Sequence, residues 1–338
     1  MNNKYLRMFS CCVVTKGFLR SIIIDTQRSE YYFIPNELYD ILITQNKVLF
    51  HDILREYGSE NQEIINEYVT FLLEKDLAYF TTEAEAFPAI SSDWTSPYQI
   101  SNAIVDIDAN SIYNISKAIK ELDNLGCEAL QIRIFCVKDL KFYYTLIEYL
   151  NQIKRLKTVE IVMPYDTKYI LETHYGRILE KCILIHRLTV FNAPFTKEIF
   201  EKTGSILHFI KFNVSNESHC GNILKEFFTT DLQNINEGLH HNTCLNRKVS
   251  IDRFGNIKNC PSMKKSFGKI GEVKIKAILK DSLFTDVWNI NKDQIKICTD
   301  CEFRSICTDC RAYIQIPSDI FSKPSKCKYN PYNATWEN

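Results

Sequence analysis

Seven of the chain's thirteen cysteines fall in its last third: Cys244, Cys260, Cys298, Cys301, Cys307, Cys310 and Cys327. Four of them, in CTDCEFRSICTDCRA, stand within thirteen residues, a density that hydrophobic packing does not require. A C-x2-C pair lets two thiolates reach one metal from one tight turn, because the intervening backbone supplies the curvature and amide hydrogen bonds to sulfur. The pair occurs twice, as C-x2-C-x5-C-x2-C from Cys298 to Cys310, and a further spacing, C-x10-G-x4-C, runs from Cys244 through Gly255 to Cys260. A tetrahedral zinc or one iron-sulfur cluster takes four cysteines, so seven imply one complete site and one with three thiolates plus something else. The plainer alternatives are buried free cysteines acting as small apolar residues, or a zinc scaffold. The other six, Cys11, Cys12, Cys127, Cys136, Cys182 and Cys220, are scattered.

Composition narrows the setting. Lys plus Arg equals Asp plus Glu at 41 each, so no net field attracts nucleic acid or an anionic membrane surface. The start, MNNKYLRMFSCCVVTKGFLRSIIID, lacks the apolar core of a secretory signal, and no later run approaches the ~18 apolar residues of a membrane span. The expectation is a cytoplasmic chain, where thiols stay reduced and clustered cysteines point to metal or redox chemistry.

The elements that must position these thiols divide the 338 residues into three. Strand-like YLRMFSCCVV and RSIIIDT, helical NELYDIL and NQEIINEYVTFLLEK, and a closing LAYF strand suit a small winged-helix module. TTEAEAFPAISSDWTSP, residues 81–97, has no periodicity and reads as a linker. Beyond it, NAIVDID, ALQIRIF, TVEIVMP, RLTVFN and HFIKFNV alternate with helical segments, the last of them FTKEIFEKTG. That order indicates βαβ units and a parallel sheet, open or an incomplete barrel. From about residue 240 the pattern dissolves, apart from a hairpin turning at Phe254-Gly255-Asn256 and a short helix in VKIKAILKDSLFTDVWN. So little regular apolar patterning would struggle to offset its ordering entropy unaided, whereas metal ligation supplies ~10 kcal/mol or more to a small domain.

The order C-x10-G-x4-C, C-x2-C-x5-C-x2-C and a last cysteine resembles the SPASM domain, the C-terminal extension of many radical SAM peptide-modifying enzymes. The match covers about residues 244–327, with one departure: the fourth step is usually C-x3-C, and here two residues separate Cys307 from Cys310. The resemblance implies two [4Fe-4S] clusters, an outer one on Cys298, Cys301, Cys307 and Cys327 and an inner one on Cys244, Cys260 and Cys310. The inner cluster's fourth ligand is left open among His240, His241, Cys220 and a substrate atom.

The same resemblance implies a partial barrel upstream, but the radical motif itself does not occur. No three cysteines have C-x3-C-x2-C spacing, and ANSIYNIS after the first strand holds no cysteine at all. Where the family's Gly-Gly-Glu-Pro turn binds the methionine amine, this chain reads Arg133-Ile134-Phe135-Cys136. Without the glycines the backbone cannot approach a ligand so closely, and without the glutamate the amine loses its charged partner. S-adenosylmethionine is therefore not expected.

The N-terminal module resembles, more weakly, the winged-helix element with which radical maturases grip a leader peptide by adding a strand. Taken together these likenesses imply an α/β chain: a winged-helix-like module and linker over 1–92, a degenerate partial (β/α) barrel over 93–240, and a cysteine-rich SPASM domain over 241–338. They resemble the SPASM-domain maturases of grasp-with-spasm systems, implying two partners, a ribosomal precursor peptide and an ATP-grasp peptide ligase. The alternative is a non-catalytic adaptor, stabilised by zinc or a cluster, that presents the precursor to its modifying enzyme.

Asp106 and Asp108 end the first barrel strand, where barrel enzymes place catalytic groups, but strand-end or capping roles are the ordinary explanation. His174 and His186 read as packed or surface residues, and Cys11-Cys12 as half buried in a strand. No P-loop, dinucleotide-binding turn or nucleophile elbow occurs, so an ATP-dependent step needs a partner.

Overall fold

A computed structural model describes residues 4–44, 49–86, 88, 90–168 and 172–337. The N-terminal part begins with β1 (Tyr5–Met8), β2 (Cys12–Thr15), β3 (Ser21–Asp25) and β4 (Glu30–Ile34), continues through α1 (Asn36–Thr44), α2 (Phe50–Tyr57) and α3 (Gln62–Glu74), and ends in β5 (Ala78–Thr81). β1 pairs antiparallel with β5, and β2-β3-β4 form an antiparallel meander. β4, the aromatic run EYYFI, and α2, FHDILREY, add to the elements expected from sequence.

β3 reads SIIID and is buried throughout because its two faces meet two different cores. Ile23 points into a cluster with Leu38, Ile41, Ile65, Val69 and Leu72 of the helices. Ile22 and Ile24 point the other way, into a cluster with Phe303, Ile306 and Tyr329 from the far end of the chain. A period-two strand can serve two cores only if both sets of side chains are apolar, which the triple isoleucine provides.

The central sheet has eight strands, introduced in chain order as β6 (Asn102–Ile107), β7 (Ala129–Ile134), β8 (Thr158–Pro164), β9 (Ile185–Phe191), β10 (Lys197–Phe200), β11 (Ile206–Phe209), β12 (Lys248–Ile251) and β13 (Ile257–Lys258). Their spatial order is β10-β11-β9-β8-β7-β6-β12-β13, parallel from β11 to β12, with an antiparallel strand at each edge. The sheet is open, and no barrel closes among the described residues. FTKEIFEKTG, read as a helix, instead supplies β10, which pairs with β11 from Lys197 opposite Phe209 to Phe200 opposite Ile206. Sheet pairing outweighs the helical spacing of Phe195 and Ile199.

One face of the sheet carries α4 (Ile115–Asn124), α5 (Leu140–Leu150) and α6 (Glu172–Glu180). Asn114 and Asp139 start the first two by accepting the amides of Lys117 and Phe142, each at 2.8 Å. Ala103, Val105 and Ile107 of β6, Leu130, Ile132 and Ile134 of β7, and Val159, Ile161 and Met163 of β8 alternate into the core beneath these helices. The intervening residues turn a polar face outward: Asn102 and Asp106, Gln131 and Arg133, Glu160, and Lys248 and Ser250 of β12. Parallel sheets are usually covered on both faces, so this polar face marks the side that holds something other than a core.

Between β11 and β12 lies α7 (Leu232–His240), and after β13 come the four-residue helices α8 (Ile275–Ile278) and α9 (Ser282–Thr285), where one was expected, then irregular chain up to β14 (Tyr329–Asn330) and β15 (Thr335–Trp336). The hairpin expected at Phe254-Gly255-Asn256 forms between β12 and β13. Gly255 has φ +80°, and a side chain there would stand 3.0 Å from Tyr113 Cβ. Among the described residues no helix is long and apolar enough to cross a membrane.

Candidate metal centre

The loop from Cys298 to Cys310 is shaped by its own backbone. Cys298 opens a 3₁₀ turn, the Cys301 amide donates to the Cys298 carbonyl at 3.0 Å, and the Cys307 amide donates to the Phe303 carbonyl at 2.9 Å. Cys327 follows a turn at Pro324 and makes a parallel bridge to Ile223. These turns bring Cys298, Cys301, Cys307 and Cys327 close enough for each to act on another's charge. Burial, followed by the neighbouring Cys327 and Cys298 thiols, pushes Cys307 up to about 12 against the opposing pull of Lys292. Burial likewise raises Cys298 and Cys301.

A second set forms where β12 begins. Cys244, Cys220 and Lys248 lie near enough to act on Cys260, and Cys244 acts on Cys310. Burial pushes Cys260 up to about 12, with Cys244 adding to the shift, and burial also raises Cys310. Cys220 enters this set through Gly221, whose φ is +84° and where a side chain would stand 2.8 Å from the Cys310 sulfur. Only glycine lets the backbone after Cys220 come so near that thiol. The structure therefore brings Cys244, Cys260 and Cys310 together with Cys220, one of the candidates left open by the sequence. Its signal is a Cys-Gly pair in irregular chain between β11 and α7.

Both candidate histidines for that position are otherwise engaged. His240 Nε2 lies 3.1 Å from the Ser92 carbonyl, and His241 Nδ1 lies 3.1 Å from Asn289 Oδ1 with its ring edge-on to Trp94. Burial lowers the His241 pKa.

Each set faces a lysine. Lys292 is buried, with its Nζ 3.3 Å from Asp309 Oδ1, and half-buried Lys248 has its Nζ 3.6 Å from Cys244 Sγ. Burial works against both charges, but the Cys307 thiol and Asp309 for the first, and Cys244 and Cys260 for the second, outweigh it and hold both pKa values above the lysine range. Thiolates, which must lose protons to bind metal, thus have cations to meet.

The spacing of the sulfurs bears on what they could hold. Tetrahedral zinc, with Zn–S bonds of ~2.3 Å, needs its thiolates about 3.8 Å apart. Among the described residues no three of the sulfurs in these two sets lie within 4.8 Å of one another. Among the described residues the group of three potential ligands that close is Cys11, Cys12 and Asp25, at the start of β2 and the end of β3. Its carboxylate is already taken by Arg28 Nη1 at 2.8 Å and by the amides of Gln27 and Arg28.

The polar sheet face lies next to the second set. A groove of about 410 Å³ is lined by Asn102, Gln131, Glu160, Arg187, Cys220 and Lys248, among others. Higher on the same face Arg133 grips Asp106 through two hydrogen bonds of 2.7 Å, with both side chains buried. Asp106 is thus half of an internal ion pair, and Arg133 opens the turn expected to lack the amine-binding sequence. Burial raises the Asp106 pKa against the pull of Arg133. Asp108 accepts the Asn110 amide at 2.7 Å, an ordinary turn role.

No family model matches the sequence, and no curated protein matches it. Among solved structures the chain is similar to SuiB of Streptococcus suis, in a structure bound to S-adenosylmethionine and in a second crystal structure of SuiB, both at TM-score 0.33. The structure of SuiB bound to precursor peptide SuiA gives TM-score 0.34. In each, identity is 10% over 95% of this chain and 99% of the other. At that degree of likeness, function has to be read from the chain's own residues.

Proposed function

We propose that this chain is an iron-sulfur protein of peptide maturation, with an outer [4Fe-4S] cluster on Cys298, Cys301, Cys307 and Cys327 and an inner one on Cys244, Cys260, Cys310 and Cys220. The observation that carries this reading is the sorting of eight thiols into two sets of four, each opposite a lysine. When bound, such clusters supply one-electron chemistry or a Lewis-acidic iron.

In this reading residues 1–92 grip a ribosomal precursor peptide, 93–240 carry the polar sheet face, and 241–338 hold the clusters. The groove beside Cys220 and Lys248 is where the peptide would pass, with Gln131, Glu160 and Arg187 to hydrogen-bond it. Radical initiation from S-adenosylmethionine is lost, and an ATP-grasp partner makes the new bond. Anaerobic purification with iron, sulfide and zinc analysis tests the reading. Iron and sulfide at about eight per chain are expected for two four-iron clusters, and stoichiometric zinc without iron would overturn it in favour of an adaptor. Formation of 5'-deoxyadenosine from S-adenosylmethionine would overturn the loss of radical initiation.

A further inference from the structure

The two thiol sets share a stretch of chain in which Asp309 stands two residues after Cys307 and one before Cys310. Its buried carboxylate takes hydrogen bonds of 2.5 and 2.8 Å from Arg311, one of 2.6 Å from Asn242 Nδ2, and the Lys292 ion pair at 3.3 Å. Asn242 in turn accepts the amides of Cys244 at 3.2 Å and Leu245 at 3.0 Å. A polar chain thus runs from the outer set to the backbone of an inner ligand. Arg311 is committed further, donating to the carbonyls of Ile320 at 2.6 Å and Ser322 at 2.8 Å.

The charges do not cancel within this network. One carboxylate faces two buried cations, so one positive charge is left over; Lys292, 3.3 Å from an Asp309 that stands two residues after Cys307, is the cation on which Cys307, Cys298 and Cys327 act. At the inner set Lys248 makes no salt bridge among the described residues, and its hydrogen-bond partner is the Cys244 sulfur. An ammonium partly withdrawn from water, with no carboxylate in salt-bridge contact, is best compensated by another anion beside it. Four thiolates around a four-iron core leave a net charge of roughly −2, which is such an anion.

We propose that Lys292 and Lys248 are positioning residues for charge, one for each cluster, and that each sets the reduction potential of its own cluster. The inference rests on the two-cluster reading above. Asp309, held by Arg311 and Asn242, fixes Lys292 against the outer set. Lys248, the first residue of β12, is fixed by that strand's pairing with β6. A nearby cation favours the reduced, more negative cluster, so removing it makes reduction harder.

The test is an anaerobic redox titration of the full chain, monitored by electron paramagnetic resonance, with dithionite supplying the one electron that each cluster takes up. The variants are Lys292→Met, Lys248→Met, Lys292→Arg and Lys248→Arg. Each Met variant is expected to lower one midpoint, a different one in each case, by a factor of ten in the reduction equilibrium, about 59 mV for a one-electron couple. The other midpoint stays, and the Arg variants restore the first. Met variants with full iron and unmoved midpoints overturn the proposal, as do variants that shift both midpoints equally. Should Lys292→Met bind no outer cluster, Lys292→Arg decides: a loaded cluster near the original midpoint supports the role of charge, and an empty site overturns it. A wild-type chain without iron overturns the cluster reading and this proposal together, an outcome distinct from iron with unmoved midpoints.

Discussion

The outer and inner thiol sets draw on the same short loop, yet their surroundings are opposite. Cys301, Cys307 and Cys327 pack into the apolar cluster of Ile22, Ile24, Phe303, Ile306 and Tyr329, where the N-terminal meander meets the C-terminal loops. Phe303 sits at its centre, with the rings of Tyr31, Phe33, Phe228 and Tyr329 all within 5.8 Å. Polar contacts rim this joint: Arg20 to Glu302 at 2.8 Å, Thr15 to Ser305 at 2.6 Å, and the Phe18 amide to the Asp300 carbonyl at 2.7 Å. The inner set instead borders the groove on the polar sheet face through Cys220 and Lys248. A site walled by aromatic rings has the surroundings of a structural joint. One beside an open polar groove has room to meet a ligand.

The hardest blow to this contrast would come from the outer set. Cys307→Ala is expected to lose that metal and much of the ~10 kcal/mol or more that ligation supplies. Because β3 shares the core, amide exchange across residues 21–34 should quicken along with that of the C-terminal loops. Exchange there as slow as in the unaltered chain would show that the outer set is not a joint.

On the polar sheet face, Arg133→Ala leaves Asp106 buried without its partner, and a loss of about 3–5 kcal/mol is expected by denaturant unfolding. Replacing both, Asp106→Leu with Arg133→Met, should be close to neutral. Equal losses in the single and double variants would mean that the pair does more there than balance charge.

The inner set should be the gentler one to remove. Cys220→Ala is expected to halve the iron while lowering stability by about 2 kcal/mol, and His240→Ala and His241→Ala should keep all of it. Full iron in the Cys220 variant would return the fourth ligand to one of the histidines or to a substrate atom. The smallest effect belongs to the rim of the joint: Thr15→Val removes the 2.6 Å hydrogen bond to Ser305 and should cost about 1 kcal/mol, read from the thermal midpoint.

Much of this architecture is legible in the chain. Alternating apolar strands such as ALQIRIF and TVEIVMP announce the parallel sheet, and the Phe254-Gly255-Asn256 turn announces the β12–β13 hairpin. β10 is not legible, because FTKEIFEK has the spacing of a helix and becomes a strand only by lying along β11. Nor is β4, since the long-range packing of Tyr31 and Phe33 around Phe303 is what gives EYYFI its place. At the candidate metal centre the cysteine spacing points to seven of the eight thiols in the two proposed sets. Cys220 lies outside every regular spacing, so the sequence leaves it one candidate among four, and it is singled out when the fold carries Gly221 up against Cys310.

β12 lies beside β6, with Lys248 opposite Asn102 and Ile251 opposite Val105, and it belongs to the last third of the chain. The cysteine-bearing region is therefore not a detachable cassette. A recombination event, or an expression clone, that cut the chain before Lys248 would strip the last two strands, β12 and β13, from one end of the sheet and leave β6 with a long unpaired edge, a template for aggregation. The sheet and the cysteine region therefore fold as one piece, because β6 and β12 each lack a hydrogen-bonded neighbour without the other.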